Sequence, residues 1–325
     1  MSKTIAMTGA TGFTGRHAVT ELLKRGHRIA ALVRDPARAG LPPGVELVAG
    51  HLEDATVLAT LVRGADAVVH LAGVISASTP ADYFRYNAAA TRALAQAAAD
   101  AGVRRFLFAS SLAAREPELS FYGASKLAAE HELRQFEGVL NTLMLRPPAI
   151  YGPGDRATLP LMKQLTHAIA MIPGRRGQRF SLIYAEDFAR LLGDAVAGRA
   201  TGTLEVSDGT PGGYGWDDLA GIARKTSGRN IRPVFLPKPL VMGVALLANG
   251  MARLSGKPSM LNPGKVRELY HPDWVVRAPG MMLADPVTFA RGLPQTLAWY
   301  RAAGWLPRSR RADKSSLTSK HEAQR

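Results

Sequence analysis

Tyr122 and Lys126 stand four residues apart in Tyr122-Gly123-Ala124-Ser125-Lys126, a spacing that puts both side chains on one face of a helix. A phenol with its ordinary pKa of about 10 is a poor acid–base at neutral pH. An ammonium beside it favours the phenolate and lowers that value, and Lys126 is expected to supply the charge. Upstream, Ser110-Ser111 ends a strand expected at Arg105–Ala109, where a serine hydroxyl would polarise a substrate carbonyl. Together these groups suit proton exchange with a carbonyl or alcohol oxygen. A Tyr-x-x-x-Lys spacing by itself is common, so its weight comes from what stands near it.

What stands near it is a glycine-rich turn, Thr8-Gly9-Ala10-Thr11-Gly12-Phe13-Thr14-Gly15, between a first strand and a first helix. Gly9 would permit the tight turn, Gly12 the approach of a pyrophosphate, and Gly15 close packing of the helix. Free N–H groups of Phe13 and Thr14 at the helix's positive end would hold the phosphates. About 20 residues beyond such glycines, an acidic residue normally receives the ribose 2′-hydroxyl of NAD. Val33 occupies that place here, followed by Arg34 and, four residues on, Arg38. Two cations with no carboxylate at that position favour a 2′-phosphate, and so NADP over NAD. Asp35 precedes Pro36 and suits a turn cap.

These groups need a frame, and the sequence supplies one. Short β-branched runs alternate with Ala/Leu-rich helical stretches from Lys3 to about Pro148, the pattern of an α/β Rossmann fold with a doubly wound parallel sheet. Strands are expected at Thr4–Thr8, Arg28–Val33, Glu46–Ala49, Ala67–Leu71, Arg105–Ala109 and Asn141–Leu145, and helices at Gly12–Arg25, Ala55–Val62, Asn87–Ala101 and Tyr122–Phe136. Both candidate sites then fall at the carboxyl edge of the sheet, where open α/β folds bind ligands. After Tyr151-Gly152-Pro153-Gly154 the rhythm breaks. The expected division is a dinucleotide-binding domain over 1–153, a smaller, mostly helical substrate lobe over 154–307, and a disordered basic tail over 308–325. A strand at Phe180–Tyr184 and a helix from about Glu186 would return to the first domain.

The chain has 325 residues, 46% of them hydrophobic, and no Cys. It can bury a sizeable core, which excludes disorder, collagen and disulfide frameworks as descriptions of the whole. A thiol nucleophile, a thiolate metal site and an iron–sulfur cluster are excluded with the cysteines, and no metal site is expected. The formal charge is +15, a field that favours anions. Lys3 to Met7 is too short for an export signal, so a cytoplasmic protein is expected.

As a set, the glycine turn, His70-Leu71-Ala72-Gly73, Ser110-Ser111, Tyr-Gly-Ala-Ser-Lys and Arg146-Pro147-Pro148-Ala149-Ile150-Tyr151-Gly152-Pro153-Gly154 resemble the extended short-chain dehydrogenases/reductases, the superfamily of NAD-dependent epimerases and dehydratases. The similarity covers about residues 3 to 220. It implies that Ser111 hydrogen-bonds the reacting oxygen, that Tyr122 is the acid–base, and that Lys126 lowers its pKa and holds the nicotinamide ribose. It also implies cofactor contacts at Gly9, Thr11, Gly12, Phe13, Thr14, Gly15, Arg34, Leu52, Leu71, Ala72, Gly73 and Pro148, and at Asn87, whose other reading is a helix N-cap. Val33-Arg34-Asp35-Pro36 resembles the dihydroflavonol reductases, which use NADP. His51 replaces an acidic residue often found before Leu at the adenine pocket. Leu112-Ala113 follow Ser111 where sugar dehydratases carry Thr-Asp-Glu, and only ten residues separate Ser111 from Tyr122.

The expected function is an NADP-dependent oxidoreductase moving a hydride to or from a small-molecule carbonyl or secondary alcohol. A sugar-nucleotide epimerase and a non-catalytic, membrane-associated accessory subunit are the alternatives. Tyr151, Arg156, Phe180, Tyr184, Trp216 and Tyr270 are equally good as pocket or core, and Asp187 reads as a helix cap or a brace between lobes. Pro239 to Leu254 is too short and interrupted to span a bilayer. It reads as a buried or capping helix, or as an interfacial one flanked by Lys238, Arg253 and Lys257, which would place the protein at a membrane periphery. A homodimer is a further expectation. Nucleic-acid binding is not expected, because the basic residues are scattered and no stacking aromatics accompany them.

Overall fold

The structure is a computed structural model and describes residues 2–255 and 258–307; the expected tail at 308–325 lies outside them. Strands β1 (Thr4–Thr8), β2 (Arg28–Val33), β3 (Val45–Ala49), β4 (Ala67–His70), β5 (Arg105–Ala109) and β6 (Asn141–Arg146) are all parallel. The chain then passes through β7 (Ala149–Tyr151), β8 (Ile169–Ile172), β9 (Arg179–Phe180) and β10 (Leu182–Tyr184) before β11 (Gly202–Glu205) returns beside β6. The resulting seven-stranded sheet has the order β3-β2-β1-β4-β5-β6-β11. Its direction of winding reverses between β1 and β4, which is where such sheets open a crevice.

Both faces of the sheet are covered, which explains why its strands read as nearly continuous apolar runs. Ile5, Met7, Val69 and Leu107 pack on one face with α1 (Phe13–Lys24) and a later helix at Ala185–Ala197. Their neighbours Ala6, Val68, Phe106 and Phe108 face the other way, against α2 (Ala55–Val62), and against Ala90–Asp100 and Phe121–Arg134. Truncating Phe106, which is fully buried, to Ala would cost about 3–5 kcal/mol. The remaining helices in chain order are α3 (Pro80–Phe84), α4 (Ala90–Asp100), α5 (Phe121–Arg134), α6 (Leu159–Gln164), α7 (Ala185–Ala197), α8 (Trp216–Ser227), α9 (Lys238–Ser255), α10 (Pro263–Leu269) and α11 (Phe289–Ala302).

Three expectations change. The helix placed at Asn87–Ala101 starts earlier, because Thr79 and Asp82 form a reciprocal capping box with Pro80 in the first turn, a strong start signal. Asn87 therefore lies inside a π-helical turn, Arg85–Ala89, and is not an N-cap. The strand at Phe180–Tyr184 is two strands: Ser181 donates its N–H to Trp274 O and accepts Val276 N–H on its hydroxyl. These bonds divert β9 to β12 (Tyr214–Gly215) and β14 (Asp273–Trp274), whereas β10 pairs with β7. Finally, β11 adds a seventh strand that is too short and too little buried to show a strand pattern in the sequence.

A second core gathers Tyr151, Phe180, Tyr184 and Trp216 with α6, α8 and α11, and Tyr270 packs with α9 and α10. These aromatics are core, and Arg156 stacks its guanidinium over Trp305. Asp187 is buried in the first turn of α7, where it pairs with Arg190 and accepts Val287 N–H, and so braces the segment before α11. The last strand, β13 (Arg232–Phe235), pairs with β8.

Candidate active site

The glycine turn is shaped by what a Cβ would strike. Gly9 has φ +75°, and a side chain there would come within 2.6 Å of Ala72 N and Leu71 C. At Gly15 a Cβ would lie 2.0 Å from Gly9 O, so α1 can begin against the turn only with glycine there. Gly12 meets nothing nearer than Gly9 O at 3.2 Å, and no side chain caps α1. Gly12 donates its own N–H to Gly9 O at 3.0 Å, and the half-buried Phe13 and Thr14 present uncapped N–H groups at the positive end of the helix. That arrangement fits a pyrophosphate.

The neighbouring strand end is tied to this turn by His70. Its ring is fully buried between Thr8 Oγ1, 2.6 Å from Nδ1, and Thr91 Oγ1, 2.9 Å from Nε2. Thr91 gives its own proton to Asn87 O, so Nε2 donates and Nδ1 accepts. Burial holds the imidazole pKa down at about 3, with the Lys126 charge adding to the effect. It is therefore a neutral girder between β1, β4 and α4. The sequence named His70 only as part of a motif.

Beyond His70, the half-buried Leu71 and Ala72 and the exposed Gly73 run along the crevice. Asn87 fixes their course, since its Oδ1 accepts Val74 N–H at 2.8 Å and its Nδ2 donates to Val74 O and to Ser125 Oγ. This clamp joins the loop after β4 to α5 and occupies the whole Asn87 amide. A Cβ on Gly73 would approach Asn87 Oδ1 to 2.9 Å and Lys126 Nζ to 3.7 Å. Leu52, past β3, and Pro148, past β6, are both half-buried at the same edge of the sheet.

Arg34 follows β2 and is exposed. Asp35 accepts Ala37 N–H at 3.1 Å, capping a short 3-10 turn, and lies 3.5 Å from Arg38. Its carboxylate is thus engaged locally.

The two serines at the end of β5 differ in kind. Ser110 is buried and donates to Glu130 Oε1 at 2.5 Å, and Glu130 takes two further bonds from the Arg146 guanidinium. Ser111 is half-buried, its hydroxyl accepts Ala113 N–H at 3.2 Å, and it acts by hydrogen bonding on Tyr122. Gly123 makes this approach possible, because a Cβ there would lie 2.6 Å from Ala113 O.

Tyr122 and Lys126 share a face of α5, and further charges reach the phenol from elsewhere. Lys126 Nζ donates to Ala109 O at 2.6 Å and lies 4.3 Å over the Phe108 ring. Burial lowers its pKa to about 7 against the opposing pull of Glu130. The Tyr122 pKa is raised, first by burial, with Ser111 pulling it down, Glu268 up and Lys265 down. Lys126 is drawn to the end of β5 by its bond to Ala109 O, and α10 brings two charges of its own to the phenol. Glu268 accepts the Ser120 hydroxyl and pairs with Lys265 Nζ at 3.0 Å, while Ser120 caps α5 by accepting Gly123 N–H. No sequence signal pointed to Lys265 or Glu268, which lie more than a hundred residues away.

A parallel sheet with an uncapped glycine turn at its switch point and a Ser/Tyr pair at the adjoining strand end defines a dinucleotide-binding enzyme of the extended short-chain dehydrogenase/reductase type. Residues 5–201 match the NAD dependent epimerase/dehydratase family, and the chain belongs to that family. It is 39% identical over 309 residues to the ceramide reductase of Caulobacter vibrioides, covering 94% of this chain and 96% of the relative. A quinoline-oxide ketoreductase of Stigmatella aurantiaca is 31% identical, covering 64% and 65% of the two chains. In fold it is similar to the NAD complex of UDP-glucose 4-epimerase from Thermus thermophilus, at TM-score 0.65 and 23% identity over 93% of this chain and 100% of that one. The chain is an oxidoreductase or epimerase by family. Among the described residues, no helix is long and apolar enough to cross a membrane.

Proposed function

We propose that this chain reduces a carbonyl group on a lipid of the ceramide class, with NADP as cofactor and Tyr122 as the proton donor. The observation that carries this reading is the Tyr122 phenol beside the Ser111 hydroxyl, at the same edge of the sheet as the uncapped glycine turn. A tyrosine hydroxyl beside a polarising serine can pass its proton to a carbonyl oxygen as hydride arrives at the carbon, and the same group takes the proton back in the reverse direction. The similarity to a ceramide reductase over nearly the full length of both chains supports the substrate class.

The Gly9–Gly15 turn would hold the pyrophosphate through the N–H groups of Phe13 and Thr14. Arg34 would meet the 2′-phosphate, with Asp35 engaged by its own turn. Lys126, beside Gly73, would hold the nicotinamide ribose. The reduced cofactor supplies a hydride equivalent. Ser111 orients and polarises the carbonyl oxygen, and Tyr122 passes its proton to that oxygen.

The test is NADPH oxidation over long-chain keto-lipids, ketosteroids and sugar nucleotides. Turnover with the keto-lipid alone is expected; cofactor that is retained and cycled without net NADPH consumption would replace the reading with an epimerase. Arg34→Ala is expected to raise the NADPH KM about 10- to 100-fold, the worth of one charge-assisted phosphate contact, with the NADH KM little changed. Equal effects on both would remove the NADP assignment.

A further inference from the structure

Helix α9 buries one side only. Val241 and Ala245 pack inward with Val266 and Tyr270, and Ala252 on the same side is buried. On the opposite side Leu240, Val244, Leu246, Leu247, Met251 and Leu254 are exposed, with Leu247 at 73%, Met251 at 70% and Leu254 at 91%. At 100° per residue these six span a face about 160° wide, with Gly243 and Gly250 inside it. A helical partner needs only a narrow seam; a face this broad suits a continuous apolar medium.

Charge says which medium. Residues 219–267, which contain α9, carry nine Lys or Arg and no Asp or Glu. A second copy of so basic a surface would be repelled, and an anionic bilayer would attract it. The surface also adjoins the catalytic site. The segment following α9 is held to the loop after β4 by the Ser76 hydroxyl, which donates to Ser259 O at 2.7 Å. The inner side of α9 rests on α10, whose Glu268 and Lys265 act on Tyr122.

We propose that the outer face of α9 seats this protein on the surface of an anionic bilayer, lying in the interface without spanning it, with the mouth of the active site beside the lipid. The reading rests on the function above only in giving the lipid surface a purpose; the docking itself needs no substrate. The exposed cations of this stretch, such as Lys238, supply long-range attraction, and the six exposed apolar side chains supply insertion. The two contributions separate by salt, because about 0.5 M screens the first and leaves the second.

The experiment is flotation of the full chain, without substrate, with vesicles of equal parts phosphatidylglycerol and phosphatidylcholine, against vesicles of phosphatidylcholine alone. The chain is expected to float with the anionic vesicles at about 0.1 M salt. The double variant Leu247→Glu with Met251→Glu is expected to lower the partition coefficient about 10-fold or more, since it removes two of the six apolar anchors. Its melting temperature and its NADPH affinity, read by fluorescence titration, should match the parent. If that variant melts early, Leu254→Glu at the exposed helix end serves in its place. The proposal is overturned if the parent chain stays in solution with anionic vesicles, if the variant floats equally well, or if it converts a dimer to a monomer in sedimentation without lipid. Failure to reduce any keto-lipid would overturn the substrate assignment and leave vesicle binding unaffected, so the two readings fail separately.

Discussion

Two buried carboxylates, Glu130 and Glu268, each receive a serine hydroxyl at α5, yet they do different work. Glu130 belongs to α5 itself, is fully buried, and is satisfied by Ser110 and the bidentate Arg146 at the ends of β5 and β6. Glu268 arrives from α10, binds Ser120 at the cap of α5, and shares its charge with the half-exposed Lys265. The first pair joins β5, α5 and β6 and sets shape. The second comes from α10, far along the chain, and reaches the phenol. A carboxylate closed within the sheet and its own helix acts as scaffold, whereas one supplied by a distant helix can tune a reacting group.

The comparison breaks most sharply at Glu130. Glu130→Ala leaves Arg146 buried without its counter-ion and is expected to cost about 3–5 kcal/mol of folding stability, read by urea unfolding. A loss below about 1 kcal/mol would show that the pair is an ordinary surface one.

His70 sharpens the scaffold side, being a titratable group held by neutral partners. Its folded pKa of about 3 lies below the ordinary 6.5, so between those values the unfolded chain binds a proton that the folded chain refuses. Stability must therefore fall as pH drops from about 6.5 toward 3. His70→Asn is expected to remove up to about 1.4 kcal/mol per pH unit of that slope, measured by chemical denaturation across the window. An unchanged slope would mean the ring is not neutral in the folded chain.

The smallest effects belong to α10. Glu268 raises the Tyr122 pKa and Lys265 lowers it, so Glu268→Gln should move the alkaline limb of the reduction profile to lower pH and Lys265→Met to higher pH. Shifts of the same sign, or changes in kcat with no movement of either limb, would deny α10 its electrostatic role.

What was legible in the sequence follows the same division. The glycines at 9, 12 and 15, the Ser110-Ser111 pair and the Tyr122/Lys126 spacing are local, so their types and intervals announce both the fold and the edge of the sheet. Residue types alone could not announce where Lys126 would point, because its amine is captured by Ala109 O and the Phe108 ring, contacts made across the sheet. Nor could they place Asn87, whose helix starts at a capping box several residues earlier. Glu268 and Lys265 reach α5 by tertiary packing alone, and nothing near Tyr122 in the chain calls for them.

The central claim, that the Tyr122 hydroxyl delivers the proton to a carbonyl oxygen, is tested most directly by Tyr122→Phe, which removes that hydroxyl and little else. NADPH oxidation with the keto-lipid should fall about 10²- to 10⁴-fold while NADPH affinity, measured by fluorescence titration, stays within a few-fold of the parent. Turnover that survives the substitution would contradict the account.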